Sequence, residues 1–166
     1  RGAPELRLAD VRRRLEILVT AIHGRALSVE AVPPPARVGW VREAMRRPTR
    51  FLRPREPVPG LAGERILLPP SLPAPDGEPA AIARYRVLTL AQAERVARDT
   101  AAHLPADDEP LARDLYLVAE AAAADRALVA RVGGAAAVLR AERDRALAHR
   151  PAIERLRPAE RAVERL

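Results

Sequence analysis

The sequence predicts a mainly α chain: a helical bundle with a proline-rich, partly extended arm and one short β-hairpin. Three observations point there. After residue 78, apolar residues recur at helical spacing in long runs with short breaks. Twelve of the 17 prolines lie between residues 33 and 79, in "VPPPARVG", "RPREPVPG" and "LLPPSLPAPDGEP". Proline lacks an amide donor and fixes its own backbone, so that stretch cannot be one long helix. Two short runs, "RALSVEAV" and "ERILLPP", have the alternation and branched residues of strands.

Taken in order, "PELRLADVRRRLEILVTAIHG" places Leu8, Val11, Leu15, Leu18 and Ile22 at spacings of three and four. That is an amphipathic helix, stopped by Gly24. "RALSVEAV" follows as a strand, and "ERILLPP" is its expected pairing partner. A helix over "EPAAIARYRVLTLAQAERVARDTAAHL" has Pro79 in its first turn and Pro105 beyond its end. The next, "DDEPLARDLYLVAEAAAADRALVARVGG", opens on acids and Pro110 and closes on two glycines expected to cap it. "AAAVLRAERDRALAHR" is a third long helix after the arm, and "PAERAVERL" starts another. Short connections between long helices favour antiparallel neighbours. The expected organisation is a helix and strand over 1–30, an arm over 31–78, and a bundle over 79–166.

Lysine, asparagine and cysteine are absent, while alanine and arginine dominate. A GC-rich genome is the simplest source of that bias. Without cysteine there is no disulfide framework and no thiolate metal site, which agrees with a cytoplasmic location. No apolar run reaches the roughly 20 residues needed to span a bilayer, and the opening "RGAPELRLADVRRR" has no secretory apolar core. Beginning on arginine and ending in a helical pattern, the chain reads as a piece of something longer.

The net charge is +7, and residues 37–55 concentrate it, with seven arginines and one glutamate. Such density steers acidic partners by long-range attraction. Trp40 and Phe51 interleave with Arg37, Arg42, Arg46, Arg47, Arg50, Arg53 and Arg55, the mix that a backbone-tracking, base-stacking nucleic-acid surface needs. Two aromatics are few for that purpose, and the prolines break any continuous recognition helix. The plainest reading of the arm is a solvated basic surface in an arginine-biased chain; an acidic protein is the first partner expected of it, and nucleic acid the second.

Catalytic constellations are missing. His23, His103 and His149 have no metal-ligand spacing, and Ser28 and Ser71 lie outside any nucleophile elbow. There is no phosphate-binding glycine motif. No enzyme activity, cofactor or metal is expected.

The stretch "DLYLVAEAAAADRALVARVGG" carries two acids within an alanine-rich helix. At about 100 degrees per residue, Arg113, Glu120 and Arg131 form a polar stripe, and Leu111, Leu115, Val118, Ala122 and Val129 form the apolar face. Glu120 is then a solvated surface charge. Asp125 borders the apolar face and requires a donor, such as an arginine from a neighbouring helix. Small side chains at 121–124 suit close packing as a central helix.

These segments, in this order, resemble the N-terminal helical region of NorD-like nitric oxide reductase activation proteins, which are related to CbbO. "DGEPAAIARYRVLTLAQAERVARDT" is similar to the family's tyrosine-containing helix with its following glutamine-alanine pair, matched by Tyr85, Gln92 and Ala93. "LYLVAEAAAADRALVARVGG" resembles the next helix, where Glu120 and Asp125 match the first and last acids of an acid-rich run and Gly134 matches a glycine. Within that run Ala121, Ala123 and Ala124 replace an acid, an arginine and an isoleucine, and Gly133 replaces a proline. The resemblance implies an adaptor that joins a C-terminal von Willebrand A domain and works with a MoxR-type AAA+ ATPase to mature or activate a client enzyme. The D-x-S-x-S motif of that A domain does not occur here.

Overall fold

The computed structural model describes residues 4–33, 57–106 and 109–148, with single positions 154 and 161. The fold is mainly helical, with a small amount of strand. The chain opens on a strand, β1 (Glu5–Arg7), and runs directly into helix α1 (Leu8–His23). The first free amide of α1, on Leu8, donates to the carbonyl of Pro70 at 2.9 Å, so tertiary structure caps this helix start. Gly24 ends it with φ 66°, a left-handed conformation that glycine adopts at low cost. Strand β2 (Ser28–Ala31) follows, then β3 (Gly60–Ala62), β4 (Arg65–Leu68) and β5 (Ser71–Pro73).

Helix α2 (Glu78–Ala97) is the centre of the molecule, lying against α1 and β4 and against both later helices, α3 (Pro110–Arg131) and α4 (Ala135–Ala148). Its buried residues, from Ala81 and Tyr85 to Ala93 and Glu94, are spread round much of the helix. A helix surrounded by neighbours has that pattern. The core joins Leu8, Val11, Leu15 and Val19 of α1 to Val29, Ile66 and Leu68 of the sheet and to Tyr85 and Leu90 of α2.

The two strands expected to pair do so, but in parallel, with Val29 opposite Ile66 and Ala31 opposite Leu68. The hairpin lies elsewhere, between β3 and β4. Gly63, at φ 62°, supplies the first residue of its two-residue turn. The cause is connectivity: antiparallel partners close through a short turn, whereas the long connection between β2 and β4 leaves room for a crossover. A second sheet was not expected. Residues 5–7, read as the start of the first helix, pair antiparallel with 71–73, placing Leu6 opposite Leu72, both buried.

Two helix ends also differ from expectation. Helix α2 stops at Ala97, where Asp99 takes φ 54° and a short 3₁₀ turn, Thr100–His103, swings the chain toward α3. The cap of α3 is Val132, whose amide donates to Leu128 at 2.7 Å; Gly133 and Gly134 form a turn without left-handed φ.

The largest difference is the rotation of α3. Tyr116, Glu120, Ala124, Leu128 and Arg131 form its inward side, with Ala124 and Leu128 buried, while Leu111 and Val118 of the expected apolar face are exposed. Of the four alanines only Ala124 is buried, and α2 takes the central place expected of α3. Alanine gives a helix little amphipathic bias, so specific partners decide its rotation. The run at 158–166 and the basic segment 37–55 lie outside the described residues, apart from Arg161.

Candidate interaction groove

The helices are tied by charged pairs between elements. Arg98, beyond the end of α2, donates from Nε and Nη2 to both oxygens of Glu120 on α3, at 3.1 and 2.8 Å, and the Thr100 hydroxyl adds a third hydrogen bond at 2.9 Å. The Arg98 hydrogen bonds hold the Glu120 carboxyl below its ordinary pKa, against an opposing effect of burial. The Tyr116 hydroxyl donates to the Thr100 carbonyl at 2.9 Å. About three turns further along α3, Arg131 Nε donates to Glu94 Oε1 at 2.8 Å. On the α4 side, Arg84 grips Glu142 with two hydrogen bonds, at 2.6 and 3.1 Å, and Glu142 also accepts from Arg145.

Glu94 is the most deeply placed of these acids. Its side chain is 2% exposed, whereas that of Arg131 is 49% exposed. His23, at the end of α1, places Nε2 3.8 Å from Glu94 Oε1, too far for a hydrogen bond, in a side chain 3% exposed. Burial pushes the His23 pKa below 6.5; Glu94 opposes that shift and Arg131 adds to it. Among the described residues neither His23 Nε2 nor the buried Gln92 Oε1 has a hydrogen-bond partner.

Beside this frame lies an open groove of about 500 Å³ between α1, α2 and the α3–α4 turn. Helix α1 contributes Arg14, Leu18 and Ile22, four residues apart, and α2 contributes Ile82, Arg86 and Leu90 in the same spacing. Four-residue spacing keeps side chains on one helix stripe, so each wall is apolar with one arginine in line. Val132, Gly134, Ala135 and Val138 close the far side. Ile17, on the α1 wall, is 55% exposed.

The expected site residues fall in several places. Arg37, Trp40, Arg42, Arg46, Arg47, Arg50, Phe51, Arg53 and Arg55 lie outside the described residues. Tyr85 is core: its hydroxyl donates to the Pro69 carbonyl at 2.9 Å, and burial pushes its pKa up to about 12. Gln92 is also core, and Gly134 lines the groove. Glu120, expected to be solvated, is instead bound by Arg98 and Thr100. The stripe it shares with Arg131 faces inward because arginine and carboxylate on facing elements satisfy one another there.

Asp125 has the arginine partner that its position asks for: Arg143 of α4 donates to Oδ2 from Nε and Nη2 at 3.1 and 2.6 Å. The two acids thus serve separate junctions and form no joint site. Arg14, Arg86, Glu94 and His23 were not foreseen. The arginine interrupting Arg14–Leu18–Ile22 was the available signal, since it stands on an otherwise apolar stripe.

Among the described residues no group of three histidines or acids is placed to hold a metal ion, and no helix is long and apolar enough to cross a membrane. Compared with known families, curated proteins and solved structures, the chain matches none.

Proposed function

We propose that this chain is a noncatalytic adaptor module of a NorD-like protein, working with a MoxR-type AAA+ ATPase to mature or activate a client enzyme. The observation that carries an interaction role is the apolar groove, open among the described residues, on a helical frame braced by charged pairs. A scaffold must present apolar surface without collapsing round it, and pairs on both sides of α2 hold its neighbours in place. The ATPase and the client follow from the order of segments that resembles the family, with Tyr85, Gln92, Glu120, Asp125 and Gly134 at its motif positions. In this reading the ATPase supplies all the chemistry, and the module binds no cofactor of its own.

The test is capture of a MoxR-type ATPase by the full-length protein and by this 166-residue chain. Capture by both is expected; failure of the full-length protein removes the assignment. Binding of random single-stranded DNA that weakens steeply with salt would move the basic segment 37–55 to a nucleic-acid role.

A further inference from the structure

We infer that the groove between α1 and α2 receives an acidic amphipathic helix of a partner protein. The inference rests on the adaptor reading and names the chemistry of what is adapted. Its first support is shape. The stripes Arg14–Leu18–Ile22 and Ile82–Arg86–Leu90 each run about 12 Å at 1.5 Å per residue. A helix that binds through anchors at i, i+4 and i+7 presents about 10.5 Å of apolar stripe. Two facing helix stripes of that length, lining one open groove among the described residues, match a rod better than a compact ligand.

The second support is charge. Arginines at other element junctions are satisfied within the fold: Arg25 by Glu64, Arg65 by Glu30, Arg84 by Glu142, Arg98 by Glu120 and Arg143 by Asp125. Arg14 and Arg86 are exposed, and among the described residues no acid pairs with either. One cation on each wall of an apolar channel selects a partner with carboxylates flanking its apolar stripe. A lysine-rich helix of the same apolar pattern is repelled on both sides.

The probe is a fluorescein-labelled amphipathic peptide of about four helical turns, with leucines spaced three and four apart and flanking glutamates. Its twin carries lysines in place of the glutamates, and binding of each to the whole chain is read by anisotropy at low and high salt. The glutamate peptide should bind at least about tenfold more tightly than the lysine twin. Arg14→Glu and Arg86→Glu should each weaken it by about threefold, as exposed charge pairs do, and together by about tenfold. The double variant should improve binding of the lysine twin. Ile17→Asp, on the exposed rim, should weaken both peptides. All these positions are exposed, so a matched urea midpoint checks that the fold is retained.

Equal binding of the two peptides, or an unchanged affinity in the double arginine variant, overturns the inference. So does saturable binding of dodecanoate without binding of the glutamate peptide, which would make the groove a fatty-acid site. If the full-length protein captures the ATPase but the peptide results fail, only the groove assignment falls. If capture fails while binding depends on Arg14 and Arg86, the groove stands and the adaptor assignment falls.

Discussion

Arg131→Ala should be more damaging than any change to its partner Glu94 that keeps the shape of the side chain. The Glu94 side chain is 2% exposed with Arg131 in place; without the guanidinium its carboxylate loses the 2.8 Å hydrogen bond and has His23 Nε2 at 3.8 Å, beyond hydrogen-bond reach. Breaking a fully buried pair costs about 3–5 kcal/mol, mainly because a charge is stranded. Arg131 is 49% exposed, which weakens the attraction lost, so about 2–4 kcal/mol is expected here. Glu94→Gln keeps an acceptor for the 2.8 Å hydrogen bond and removes the buried charge, and its cost should be about 1 kcal/mol or less. The double variant should then be more stable than Arg131→Ala alone, because no carboxylate is left stranded. Urea unfolding separates these cases: at about 2 kcal/mol per molar, Arg131→Ala lowers the midpoint by about 1–2 M. Equal losses for Arg131→Ala and Glu94→Gln, or a double variant at the sum of the two, would refute the stranded-charge argument.

Three further outcomes are expected. Burial depresses the pKa of His23, so its native form resists a proton that the unfolded chain accepts below pH 6.5. Stability should therefore decline as pH falls through 6.5 toward the lower folded value, and His23→Gln should flatten that decline between pH 7.5 and 5.5 in urea titrations (~2 pH units about the histidine range). Tyr85→Phe removes the donor to the Pro69 carbonyl and should cost about 1–3 kcal/mol by thermal or urea unfolding, with the fold intact. Asp125→Asn should cost less than about 1 kcal/mol despite the two hydrogen bonds from Arg143, since Arg143 is 58% exposed and rehydrates; a double-mutant cycle measures the coupling.

How much of this was legible follows from the signal each element leaves. The first helix was readable because Leu8, Val11 and Leu15 repeat at helical spacing and Gly24 ends it in the conformation glycine favours. The strand at 28–31 and its partner at 65–68 were readable from local alternation, but their relative direction was not. Direction is set by how the intervening chain returns, and no local pattern encodes that. The pairing of 5–7 with 71–73 was hidden because three-residue strands carry almost no periodicity. Part of the groove was visible in the lone arginine on the α1 stripe; its second wall, with Arg86, belongs to a helix far along the chain.

Local physics in the sequence determined a mainly helical chain, four of its helical segments, the extended character of the described part of the proline-rich stretch at 57–75 and the need of Asp125 for a donor. These depend on backbone preference and on side-chain periodicity, which act within a few residues. Tertiary structure alone decided which face of α3 turns inward, that α2 occupies the centre, and that Glu94 meets both Arg131 and His23. An alanine-rich helix has nearly the same apolar surface on every side. Its rotation was settled by Arg98, Thr100 and Glu94 on the facing elements, whose positions exist only once the chain has folded.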